Sequence, residues 1–168
     1  MQVPADDLLK YHCPRWHELP EIELYVDQVV TMLQSNLITL MKDKDVPVVT
    51  ASMINNYVKQ GVLEAPVKKK YNKKHLAYLF VICMFKRMMS ISEIGESINI
   101  IQKVYSPEDV YNLFCDEIEK ALKTNLTPDG KTENILEKTE IRELATLRAM
   151  ANAFASSVLV DRLILLRK

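Results

Sequence analysis

From Glu21 to Lys42 the apolar positions Ile22, Val26, Val29, Val30, Leu33, Leu37, Leu40 and Met41 recur three and four apart. That spacing predicts a first long amphipathic helix. Pro47 and the two valines of the stretch Asp43 to Val49 break it, and Thr50 then offers a hydroxyl that can accept a backbone N–H at the start of the next helix. This second helix is short, running to about Gln60 and stopping at Gly61, the residue best suited to the left-handed position after a helix. Pro66 and the lysines after it predict an irregular or hairpin-like link. Asn72 caps a third helix through Met88, whose Leu76, Leu79, Phe80, Ile82, Cys83 and Phe85 belong mostly to the core, with Met89 just beyond. Ser90 with Glu93 forms a capping box that opens a fourth.

Ser106, Pro107 and Asp109 mark another start: a capping serine, proline at the first position and acid in the first turn. Val110, Leu113, Phe114, Ile118, Ala121 and Leu122 line one side of the helix that follows, and Thr127 to Gly130 is a turn signal. A final long helix is predicted from Thr132 or Thr139 to Arg167. Near its end it is apolar on nearly every side, the mark of a helix that is buried or paired. Ala145, Ala149 and Ala153 recur at four-residue intervals, and small residues in a stripe let two helices approach closely. Packing within the chain against the preceding acidic helix and a seam between two copies fit that stripe equally well. Residues 1–20, with Pro4, Pro14 and Pro20, read as an extended arm whose Trp16 packs back on the body.

Composition narrows the class. The 168 residues suffice for one compact core, or for a small domain with an oligomerising extension. Apolar residues make up 48% and charged residues 26%, as in an ordinary globular protein, and three glycines favour helix. Net charge is zero, with 22 basic and 22 acidic residues, which argues against a chain coated with nucleic acid. The average hides a segregation. Lys59 to Arg87 holds eight basic residues and one acid, Glu64, whereas Glu108 to Glu143 holds ten acids and five bases. A phosphate-facing surface and a second surface of different purpose would look like this, and so would two solvated faces.

Cys13, Cys83 and Cys115 are widely spaced without a CxxC pair, as expected in a reducing compartment. The first residues, MQVPADDLLKY, lack the basic start and apolar run of a secretory signal, so the chain is placed in the cytoplasm and the Asn125-Leu-Thr127 sequon is read as accidental. Ala149 to Val160, the longest uncharged apolar stretch near the end, is shorter than the roughly 20 residues a membrane span needs. His12, Cys13 and His17 lack a fourth ligand at the usual spacing, and no metal or cofactor is expected. Nucleophile elbow, phosphate loop and HExxH motif are absent, and an enzyme is not expected.

The second helix carries the candidate chemistry. Ile54, Tyr57 and Val58 fall on one side and leave Ser52, Asn55, Asn56 and Lys59 facing outward. Asparagine can make paired hydrogen bonds to adenine, and lysine serves phosphate or guanine. Lys68, Lys69 and Lys70 follow at once to grip a phosphate backbone.

Ile-Asn-Asn-Tyr-Val-Lys-Gln-Gly-Val-Leu, residues 54 to 63, resembles the Ile-Arg-Tyr-Tyr-x-x-x-Gly-Leu-Leu segment of the mercury-resistance-regulator (MerR) superfamily. Lys69, Lys70 and Tyr71 are similar to that family's wing, His75 to Lys86 to its third helix, and Ser90-Ile-Ser-Glu-Ile94 to its Phe-Ser-Leu-x-Glu-Ile signature. Pro14 to Pro20 and Leu24 to Gln28, joined to Met53 to Lys59, more closely resemble an uncharacterised bacterial family of Firmicutes, domain of unknown function 1836, itself regarded as winged-helix-like. Asn55 and Asn56 stand where the MerR segment has arginine and tyrosine, and the Gly-Tyr-Arg of its wing is missing, so sequence preference does not transfer.

The resemblance implies an all-α fold: a winged-helix, MerR-like helix-turn-helix core with additional long N- and C-terminal helices. Residues 1–20 would be the arm, 21–104 the DNA-binding domain and 105–168 a helical region available for dimerisation. Ser52, Asn55, Asn56 and Lys59 would then enter the groove of double-stranded DNA, with Lys68, Lys69, Lys70 and Tyr71 on phosphates. The function expected is a homodimeric, sequence-specific transcriptional regulator. The alternative is a non-enzymatic protein-interaction module that keeps the scaffold and uses its terminal helices as a partner surface; acids of residues 108 to 143 packed against the lysines would favour it.

Overall fold

The computed structural model describes residues 6–127 and 142–165. These are mostly helical, with one two-stranded sheet: α1 (Asp6–Leu9), β1 (Leu24–Tyr25), α2 (Val26–Leu37), α3 (Ala51–Lys59), β2 (Lys70–Tyr71), α4 (Lys73–Phe85), α5 (Ile91–Ile101), α6 (Pro107–Leu126) and α7 (Arg142–Leu165). No described helix is long and apolar enough to cross a membrane.

Four of the helix starts follow from cap chemistry. The side-chain oxygens of Thr50, Asn72, Ser90 and Ser106 accept the backbone N–H groups of Met53, His75, Glu93 and Asp109, which the first turn of each helix would otherwise leave unpaired. The first long helix is shorter than its periodicity suggests. Residues 21–25 are not helical: Leu24 is buried and Tyr25 exposed in the two-residue alternation of a strand, and β1 pairs antiparallel with β2, setting Leu24 opposite Tyr71 and Tyr25 opposite Lys70. Ile22, placed by the spacing on the apolar stripe, is 72% exposed. At the other end α2 gives way to a 3₁₀ turn over Ile38–Leu40.

Helix α4 is the centre of the molecule. His75 to Phe85 are all buried, because α2, β2, α5, α6 and α7 contact the helix from different sides. Phe85 lies edge-on to Phe114 of α6 and Phe154 of α7, with ring centroids 5.5 and 6.3 Å away. Gly95 of α5 meets the loop after α3 so closely that an added Cβ would sit 3.3 Å from both Val62 methyl carbons. The same core cluster reaches from Leu8 to Val158.

Helices α6 and α7 lie side by side and run in the same direction. Arg148 reaches Glu117 at 3.1 Å, while Ser156, two turns further along α7, reaches Asn125, two turns further along α6. Leu147, Met150, Ala151, Phe154, Ala155 and Val158 are buried. The alanine stripe turns away from this contact: Ala149 and Ala153 are exposed and Ala145 half-buried, so packing within the chain does not account for it. Past it, Val160 is 52% and Ile164 41% exposed. The predicted turn at Thr127 to Gly130, beyond Thr127 itself, and the predicted starts at Thr132 or Thr139 lie outside the described residues.

Residues 6–20 are clamped to α6. The Arg15 guanidinium donates to Glu119 at 2.7 Å and Asp116 at 2.8 Å, and the Trp16 N–H donates to Asn112 at 2.9 Å. Burial alone would raise the Glu119 pKa, but hydrogen bonds from Arg15 and the Cys13 N–H outweigh it and hold the carboxyl below its usual value.

Candidate nucleic-acid interface

Helix α3 is held from one side and open on the other. Ile54 and Tyr57 are buried, and α3 packs against α2. Ser52, Asn55, Asn56 and Lys59, at intervals of three, one and three, form one exposed stripe of amide, hydroxyl and ammonium groups. At its end the N–H groups of Val62 and Leu63 both reach the Tyr57 carbonyl, at 3.1 and 3.2 Å, around Gly61, whose φ of 73° is left-handed. The link from α2 to α3 is longer than the three or four residues of an ordinary helix-turn-helix. It spans residues 38–50, and the buried Val48 and Val49 anchor it, with the Val48 N–H bonded to Gln34 at 2.8 Å.

Lys68 and Lys69 form the tip of a tight hairpin. Val67 and Lys70 bridge antiparallel, the Lys70 N–H reaches the Val67 carbonyl at 2.9 Å, and Lys68 and Lys69 between them have φ of 49° and 64°. Two consecutive left-handed residues are the requirement of a type I′ turn, where Asn-Gly is favoured and lysine is strained. The strain sits at two exposed lysines. Lys68→Asn with Lys69→Gly is expected to raise unfolding stability in urea by about 1 kcal/mol, the relieved strain exceeding the added unfolded-state entropy of glycine.

Tyr71 does not face phosphate. Its ring is 2% exposed and lies edge-on to the buried His75 ring at 5.5 Å, because the pleat turns it inward opposite Leu24. The aromatic group that faces out beside the lysines is Tyr25, 54% exposed, with the Lys70 ammonium 5.6 Å from its ring centroid. Sequence reasoning missed it by assigning Tyr25 to a helix, since the two-residue strand that turns it outward exists only through its pairing with β2.

The basic run divides in two. Lys73 pairs with Glu21, Lys74 with Glu64 and Arg87 with Asp161, and Lys86 donates to the Val48 carbonyl, its pKa lowered by burial. Lys59, Lys68, Lys69 and Lys70 meet no carboxylate among the described residues. Of the acids on α6, Asp116 and Glu119 are taken up by Arg15, and Glu117 by Arg148. His12, Cys13 and His17 do not converge: His12 bonds Glu18 at 2.7 Å and Cys13 is fully buried, and the described residues hold no group of three or more ligands suited to a metal ion.

The model of one protein family, described as Domain of unknown function (DUF1836), matches residues 14–114. The chain belongs to this family. The DUF1836 match takes in β1, α2, α3, the lysine turn, α4, α5 and the first turns of α6, so the exposed stripe and the hairpin both lie inside it, while α7 lies outside. No curated protein and no solved structure matches the chain.

Proposed function

We propose that this DUF1836 protein is a sequence-specific DNA-binding transcriptional regulator built on a MerR-like winged-helix core, acting in the cytoplasm as a homodimer without enzymatic activity. The observation that carries the reading is the set of unneutralised lysines at the I′ turn following the polar stripe of α3. In it, α3 enters the major groove with Asn55 and Asn56 on base edges, Ser52 and Lys59 flank them, and Lys68, Lys69 and Lys70 straddle the backbone as a wing. The apolar and small residues on the outward side of α7, Ala149, Ala153 and Val160, supply the second copy's contact. Among the described residues the α6 acids do not reach these lysines, which supports DNA over the protein-interaction reading; the acids at 129–140 lie outside the described residues.

Selection of bound fragments from a random or genomic pool at low salt tests the proposal. Enriched inverted repeats, with half-sites one helical turn or a multiple apart, are the expected outcome; an unenriched pool would reject it. Asn55→Ala and Asn56→Ala are each expected to remove the preference at particular base positions, by roughly 1–3 kcal/mol in discrimination, while leaving the salt dependence of binding unchanged.

A further inference from the structure

Cys13 of the arm and Cys115 of α6 bring their thiols together under the Arg15 clamp. Both residues are fully buried; the Cys115 thiol donates to the carbonyl of Pro14, the residue after Cys13, at 3.5 Å, and the Cys13 N–H donates to Glu119, one turn along α6 from Cys115, at 2.9 Å. The hydroxyls of Tyr11, two residues before Cys13, and of Tyr111, one turn before Cys115, are buried without a hydrogen-bond partner. A purely structural contact between an arm and a helix would be filled with apolar groups; four weakly paired polar ones in one place are unusual. Cys83, buried in α4, has no second thiol beside it.

We propose that Cys13 and Cys115 are a reversible dithiol-disulfide pair that fixes the arm to α6. While the arm is down, burial holds the Cys13 thiol well above its ordinary pKa and the pair is inert, although the Arg15 charge works in the opposite direction. When the arm lifts, the burial is removed but Arg15, two residues along, moves with Cys13, so the thiolate becomes accessible beside a cation.

The oxidant is a hydroperoxide. The Cys13 thiolate attacks the terminal peroxide oxygen, the O–O bond breaks, and the alcohol or water leaves with a proton, giving a Cys13 sulfenic acid. The Cys115 sulfur then attacks the Cys13 sulfur, the S–O bond breaks, and water departs with the Cys115 proton. Two thiols and one hydroperoxide become one disulfide, one alcohol or water, and one water; the two electrons pass from sulfur to peroxide oxygen. The arm continues from Cys13 into β1, the strand paired with β2 at the base of the lysine turn, so the disulfide restrains the turn's support. The inference does not depend on what that turn binds.

The test is exposure of the full chain to hydrogen peroxide, alkylation of remaining thiols in denaturant, and mass spectrometry of the non-reduced digest. Loss of two of the three thiols, a Cys13 to Cys115 linked peptide, and recovery of both thiols with dithiothreitol are expected. Cys83→Ser should leave the link intact, and Cys115→Ser should replace it with a Cys13 sulfenic acid trapped by dimedone. Three titratable thiols after oxidation of the unsubstituted chain, a link that includes Cys83, or a link only between chains would overturn the proposal.

Discussion

Replacing Lys68, Lys69 and Lys70 together by alanine is expected to weaken DNA binding about 150-fold at physiological salt. Each phosphate contact releases close to one condensed counterion, about 1 kcal/mol per lysine at 0.15 M salt, so three contacts are worth about 3 kcal/mol. The loss should be nearly the same for every DNA sequence, and the slope of log affinity against log salt should become shallower by about 2.7. Titrations at several salt concentrations read both quantities. Folding should be affected only modestly: Lys68 and Lys69 are exposed and make no ion pair among the described residues, alanine is as poorly suited to a left-handed φ as lysine, and the half-buried Lys70 loses only its contact with the Tyr25 ring. An unchanged slope in a folded variant would remove these lysines from the interface.

The largest loss of stability is expected from Phe85→Ala, about 3–5 kcal/mol in chemical denaturation. Phe85 is fully buried where α4, α6 and α7 meet, and it lines an apolar cavity of about 30 Å³ together with Ile98, Val110 and Met150. Neighbours that have left that space open will not close over a larger one, so both the transfer of the ring and the cavity contribute. Set against the 5–15 kcal/mol typical of a domain, this leaves a marginal fold. Phe85→Leu keeps most of the volume and should lose much less. Equal losses for the two variants would show that the edge-on ring contacts, rather than the filled volume, hold the junction.

What could be read in the sequence was local. The caps at Thr50, Asn72, Ser90 and Ser106 each depend on a side chain and a backbone N–H three residues away, and each is present. The stop at Gly61 and the exposure of Asn55 and Asn56 needed nothing beyond one helix. β1 was not legible, since a two-residue strand exists only through its pairing with β2, and Ile22 and Val26 fit a helical stripe as well. Tyr71 was assigned to phosphate because the pleat that turns it inward is set by Leu24, far away in sequence. Likewise the charge run around Lys59 to Arg87 gave no sign that Lys73, Lys74 and Arg87 are taken by Glu21, Glu64 and Asp161. The alanine stripe was legible as a stripe, but its direction depends on which face of α7 Leu147 and Phe154 commit to the core.

The shared direction of α6 and α7 shapes the order of assembly. Antiparallel neighbours can zip together from a short turn, but parallel ones meet only after a longer loop has closed, an entropic cost that precedes any contact between them. The α2 to α5 region, with its nearby pairings, should therefore collapse first, and α7 should dock late over Phe85 and Phe114. During that interval the refolding chain presents a cluster of aromatic rings to solvent, so aggregation is expected to rise steeply with protein concentration during refolding.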